Sequence, residues 1–214
     1  MGGAPQFVVH EVPGQELEVE LFDKDPDQDD LLGRLKLDLE DVMKRRVVED
    51  WFPLQEGGQG RLHLRLEWLR PLADASKLEE VLERNRTIQG KPDPPSAAIL
   101  MVYLERAEEL PARKPGRAPS PMVQVSVQDV TRESKVVPGT AAPLWDEAFR
   151  FFLPDPRRLE VEFQLRDDSP PAPLGALSLP LSQLLEAPGL SLAGPFPLQG
   201  AGPRSRLHVK LVLR

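Results

Sequence analysis

Two consecutive antiparallel β-sandwiches, the first incomplete, are the fold this 214-residue sequence predicts, which makes it an all-β chain. Three observations carry that reading. Four blocks recur in the same order at offsets of 142 to 145 residues: LEVELFD (17–23) over VEFQLRD (161–167), LLGRLKLDLEDV (31–42) over PLGALSLPLSQL (173–184), FPLQ (52–55) over FPLQ (196–199), and GRLHLRLEW (60–68) over SRLHVKLVL (205–213). An ordered recurrence of this kind marks two homologous units. The blocks also alternate apolar and polar residues, the period of half-buried strands. Finally, 24 prolines bound these short runs with turns, as an antiparallel sandwich requires.

Taken in order, residues 1–69 supply strands near 6–11, 16–22, 33–38, 50–54 and 61–68, with LEDVMKR (39–45) as a short helical insert. Residues 70–95 change character and read as a linker. Leu78, Val81 and Leu82 stand at helical spacing, Asp74 or Ser76 can cap that helix, and Glu79 and Glu80 suit its first turns. GKPDPPS (90–96) then reads as extended chain. Residues 96–214 form a complete unit, with strands near 97–105, 121–128, 131–137, 145–153, 159–166, 174–179, 194–198 and 206–213 and a helical insert at LSQLLEA (181–187). Nothing in the first unit corresponds to the first three strands of the second.

Bulk properties narrow the function. A formal charge of −7 argues against nucleic acid as a partner, because phosphate contacts need a basic surface. The absence of cysteine excludes a disulfide framework and cysteine-based zinc sites, and fits a reducing compartment. No run of 18 apolar residues is present, so no transmembrane helix is expected. Residue 6 is Gln6, where an N-myristoylation signal needs Ser or Thr.

The stretch FDKDPDQDDLLG (22–33) places Asp23, Asp25, Asp27, Asp29 and Asp30 within eight positions, with Lys24 the single cation, leaving four net negative charges. A loop between two strands at the end of a sandwich is a place for function. A hard cation explains the crowding, since Ca²⁺ takes six to eight oxygens at about 2.3–2.6 Å. An EF-hand does not fit: position 6 of the loop is Gln28, position 12 is Arg34, and strands flank it. Without an ion, the same residues read as a solvated acidic turn.

The chain resembles the tandem C2 domains of extended synaptotagmins in VPGQELEVELFDKDPDQDDLLG, DWFPLQ, GRLHLRLEWL, SAAILMVYLERAEELP, PMVQVSVQDVTRESK and FRFFLPDP. The resemblance implies eight-stranded sandwiches that contact anionic phospholipid in a calcium-dependent way. It also implies a cytosolic, peripheral place at contacts between endoplasmic reticulum and plasma membrane, with homo- or hetero-oligomers through family relatives. Asp23 and Asp25 match the family's Asp-x-Asp, and Asp30 its last Asp, followed by Leu31, Leu32 and Gly33; Asp27 and Asp29 lie between. The chain reads as a fragment or truncated product. Its calcium half-site is expected to be weak or lost, and residues 1–69 are expected to be less stable than 96–214.

The second unit reads differently. Its first loop, LPARKPGRAPSPMV (110–123), has no acid where the family pattern has aspartates; Arg113, Lys114 and Arg117 make it basic. The loop RDDSPPAPLG (166–175) keeps Asp167 and Asp168 but has Pro173 where the last Asp belongs. No calcium is expected there; the basic loop can touch anionic head groups at roughly 1 kcal/mol per cation. His63 and His208 share one repeat position on the polar side of their strands, and His10 stands alone, so zinc is not indicated. No Gly-x-Ser-x-Gly elbow or phosphate loop supports an enzyme. Trp51, Trp68 and Trp145 read as core or edge packing, and MKRRVV (43–48) as a solvated helix end. The competing reading is a structural or protein-interaction sandwich with no ion or lipid dependence.

Overall fold

The computed structural model describes residues 5–24, 29–55, 60–87, 96–112, 116–168 and 171–214. The chain divides into one compact unit at Gln6–Arg70 and another made chiefly of Pro71–Arg214.

The first unit holds two hairpins. Strand β1 (Glu16–Asp23) pairs antiparallel with β2 (Asp30–Asp38), and β3 (Val47–Pro53) pairs antiparallel with β4 (Arg61–Glu67). Helix α1 (Leu39–Arg45) joins the hairpins. Asp38 caps it by accepting from the Glu40 N–H at 2.7 Å. Glu40 and Asp41 occupy its first turn and Lys44 and Arg45 its last, complementing the helix dipole. Arg46, at φ 67°, ends it and returns its N–H to the Val42 carbonyl.

The strand expected at 6–11 does not form. Its counterpart in the second unit pairs with that unit's opening strand, and the first unit has no such strand among the described residues. Phe7-Val8-Val9 favours extended backbone, but a ladder needs a second chain to receive its N–H and C=O groups.

The second unit has two four-stranded antiparallel sheets. One runs β10 (Pro171–Pro180), β9 (Glu160–Asp168), β6 (Pro121–Val127), β7 (Val130–Glu133); the other runs β11 (Ser191–Pro197), β12 (Arg206–Leu213), β5 (Ala98–Glu108), β8 (Leu144–Leu153). Alternation aims Val123, Val125, Phe163, Leu165, Leu177 and Leu179 inward from the first sheet. Leu100, Val102, Leu104, Leu207, Val209 and Leu211 point inward from the second, and all belong to one core cluster. Helix α3 (Ser182–Glu186) closes one end and adds Leu184 to that core.

The repeat extends to backbone hydrogen bonds. The Leu39 N–H donates to the Gln15 carbonyl as the Leu181 N–H donates to Leu159, and Gln55 donates to Arg34 as Gln199 donates to Ala176. Arg46 and Leu190, at equivalent places after α1 and α3, both carry positive φ.

Helix α2 (Leu78–Thr87) lies in the interval read as a linker and groups with the second unit. Asp74 is its upstream cap: it accepts from the Ser76 N–H at 2.9 Å and opens the 3₁₀ turn Ala75–Lys77 that leads into the helix. Leu82 is buried, and Ala75 packs against the second unit's core. Arg157 donates to Glu79 Oε2 at 2.8 Å and to Asp155 Oδ2 at 2.6 Å, so one guanidinium fastens the helix to the 3₁₀ turn Pro156–Arg158.

Hydrogen bonding from Arg157 holds the Asp155 carboxyl below its ordinary range. A depressed carboxylate contributes stability in full above the unfolded value near 3.9, and loses it as pH falls through the folded value. The expected carboxyl ¹³C titration midpoint of Asp155 is therefore below about 3.9, and Arg157→Gln should move it upward. An unchanged midpoint in the variant would refute the Arg157–Asp155 half of this contact.

Candidate functional site

The candidate site residues that the structure describes lie where strands turn in each unit. In the first unit, β1 ends and β2 begins at the acidic loop. Register places Asp23 directly opposite Asp30, so two carboxylates face each other across the hairpin mouth. Like charges at opposed positions destabilise a hairpin unless something neutralises them. Asp23, Asp29 and Asp30 are exposed. None of the three takes part in a side-chain hydrogen bond or ion pair with another described residue. Asp25 and Asp27 lie outside the described residues. No group of three potential metal ligands stands together among the described residues. The donor chemistry nevertheless suits a hard cation: exposed carboxylates flank one turn on both sides, and those of Asp23, Asp29 and Asp30 are uncommitted to any described residue.

The corresponding turn of the second unit has a different chemistry. Asp167, the counterpart of Asp23, is 6 % exposed, and its Oδ1 accepts the Ser120 N–H at 2.8 Å. Register sets Ala172 opposite Asp167, so Ala172, rather than the Pro173 expected from the sequence, occupies the place of Asp30. The acid is missing under either alignment. Around Ser120, three connections meet. The Asp168 N–H donates to its carbonyl at 3.0 Å, the Gly139 N–H to its Oγ at 3.3 Å, and the neighbouring Pro119 carbonyl accepts from the Thr140 N–H at 2.8 Å. Buried Asp167 thus ties loops together from within.

Sequence reasoning found Asp167 but missed this role. A backbone N–H partner leaves no residue-type signal; the only trace was Ser120 ending a loop stripped of acids. Arg117 is exposed, whereas Arg113 and Lys114 lie outside the described residues.

The tryptophans divide. Trp145 is fully buried in the second unit's core, as expected. Trp51 packs at an edge instead: it is 55 % exposed and leans on His63, its cross-strand partner, with ring centroids 5.1 Å apart. An outward position on edge strand β3 leaves the indole nothing larger than an imidazole to cover it. His63 and His208 lie on the polar faces of their strands and approach Glu49 (3.6 Å) and Glu108 (3.1 Å) respectively.

A family model for the C2 domain matches residues 5–54 and 98–198. The chain belongs to the C2 domain family. Two matches thus fall on the two halves of the internal repeat. Among curated proteins, this C2 chain is 59 % identical over 213 residues to extended synaptotagmin-1 of Homo sapiens, with all of the chain matched, and 44 % identical over 211 residues to extended synaptotagmin-2 of Mus musculus, with 98 % matched. It spans only 19 % and 25 % of those proteins, about a fifth to a quarter of their lengths. The solved, calcium-bound pair of C2 domains (A and B) of extended synaptotagmin 2 superposes with a TM-score of 0.86 at 44 % identity, covering 96 % of this chain and 73 % of that one. A longer solved fragment, in which an SMP domain precedes the same C2 pair, gives 0.86 at 43 % identity, covering 96 % and 46 %. Tandem antiparallel β-sandwiches, C2 membership and likeness to extended synaptotagmins, all read from the sequence, therefore stand.

Proposed function

We propose that the chain is a non-enzymatic, peripheral membrane-binding C2 module whose first unit answers calcium and whose second does not. The observation that carries the reading is the opposed pair Asp23 and Asp30 at the mouth of the acidic hairpin, uncompensated among the described residues. With Asp25, Asp27 and Asp29 they would hold Ca²⁺, turning four net negative charges towards neutrality so that the turn can approach anionic phospholipid. One hairpin supplies part of the six to eight oxygens, so binding is weak, in the range of about 10⁻⁴–10⁻³ M. In the second unit, Asp167 is engaged by Ser120 and Ala172 offers no carboxylate, which supports calcium independence. Arg113, Lys114 and Arg117 then act as a small electrostatic contact with anionic head groups. By likeness to extended synaptotagmins, the site of action is the junction of endoplasmic reticulum and plasma membrane.

Sedimentation with phosphatidylserine vesicles tests this. Bound protein should rise with calcium at about 10⁻³ M, and Asp23→Asn with Asp30→Asn should remove the rise, at least about tenfold in apparent affinity. The calcium-free remainder should fall with added salt, as screened surface charge does. Pelleting that ignores calcium at every concentration would sink the calcium reading and favour a protein-interaction sandwich.

A further inference from the structure

In the second unit, the loop before β6 ends on Ala118-Pro119-Ser120-Pro121. The two prolines fix their own φ and keep the residues before them, Ala118 and Ser120, in extended backbone. Proline has no N–H, so Ser120 carries the single amide donor of residues 119–121. Register sets Pro121 opposite Asp167, and Pro121 cannot donate to it. The Ser120 N–H donates instead, to the Asp167 carboxylate. A buried carboxylate needs a cation or hydrogen-bond donors around it. A divalent ion between two acidic loops would hold them together by its charge; here a fixed amide takes that part.

The same stretch also grips the chain that follows β7. Ser120 Oγ accepts the Gly139 N–H, the Pro119 carbonyl accepts the Thr140 N–H, and the Pro121 carbonyl accepts the Val137 N–H at 3.0 Å. Residues 118–121, 137–140 and 166–168 are thus held together by bonds between protein groups. Arg117 is exposed three residues before Ser120, so their Cα atoms lie within about 11 Å of each other.

We propose that Asp167 is a positioning residue: by holding Ser120 it sets the rim that presents Arg117 to anionic head groups before calcium or lipid arrives. The inference rests on the reading of the second unit as a calcium-independent lipid contact, and it supplies a reason for that independence. A rim ordered in advance has less conformational freedom to lose on docking, so a small number of cations achieves more. Position and charge predict opposite signs for the loss of Asp167. As a bare negative charge it repels an anionic surface, and its removal would strengthen binding. As the holder of Ser120 it serves that binding, and its removal weakens it.

The test uses the whole chain, phosphatidylserine vesicles and a calcium chelator. Asp167→Ala should lower the calcium-free affinity at least about fivefold, because the docking form of the rim becomes a minor one. The Ser120 and Gly139 amides should exchange at least about tenfold faster in the same variant. Asp167→Asn removes the charge but keeps an Oδ1 acceptor for the Ser120 N–H, and should return both readings to within about twofold of the unmodified chain. Amides of β5 and β12 should keep their protection, which separates a loosened rim from unfolding. Ser120→Ala keeps the N–H and loses only the Gly139 bond; it should move both readings in the same direction by about twofold, and serves where Asp167→Ala does not fold. Equal or tighter calcium-free binding by Asp167→Ala, or unchanged exchange at Ser120 and Gly139, would overturn the positioning role and leave the lipid contact in place. An unmodified chain that ignores the vesicles without calcium would sink the lipid contact itself, and the proposal with it.

Discussion

Amide exchange on dilute, monomeric protein is expected to separate the units, with residues 98–213 protected at least about 100-fold more than residues 16–67. The reason is burial. Among described apolar residues of Gln6–Arg70, only Leu35 and Val42 are buried, whereas the second unit's core draws together 26 buried residues. The free energy of opening scales with the apolar area that opening brings into water, and an isolated two-stranded hairpin is marginal in water. Phe7, Phe22, Val47, Trp51 and Leu69 stand about half or more exposed, so the first unit keeps apolar surface in water that the second removes. Equal protection in both units would show that half-buried hairpins hold as firmly as a closed sandwich, and the stability argument would fail.

The second large effect concerns Phe163. This ring is fully buried on β9, with Val125 and Leu177 as its register partners in β6 and β10. Phe163→Ala should cost the second unit about 3–5 kcal/mol, from lost transfer energy and the cavity left behind. That is a large fraction of a typical domain stability of about 5–15 kcal/mol. Val19→Ala at the equivalent place in β1 should cost about 1 kcal/mol, because Val19 is smaller and half in water. Urea titration followed through the emission of buried Trp145 reads the first change. A shift under about 1 kcal/mol for Phe163→Ala would mean that the core is not packed around that ring.

Much of this architecture was legible because period-two alternation reports a face. Arg206–Leu213 and Glu160–Asp168 lie within a residue or two of their expected bounds, since Leu207, Val209, Leu211, Val161, Phe163 and Leu165 repeat without a break. Strand β5 runs on to Glu108, beyond the expected end at 105. A register shift between Leu104 and Arg106 lets the chain keep its ladder where the alternation falters. The false strand at 6–11 marks the opposite limit: propensity is local and pairing is not. Facing positions such as Asp23 and Asp30 could be anticipated from the repeat. The Ser120–Asp167 tie could not, because it depends on how a backbone N–H is aimed once three loops have assembled.

Gly175 marks a place where the second unit's main chain closes on itself. It sits beside the register shift between β9 and β10, at φ 151°, and a Cβ there would meet the Ala201 and Leu198 Cβ atoms at 3.0 and 3.2 Å. Two stretches of main chain are thereby pressed together at closer range than any side chain permits, and the paired Ala176–Gln199 hydrogen bonds clamp them beside it. Any side chain at 175 would have to prise these two stretches apart, so this closure of the sandwich admits glycine alone.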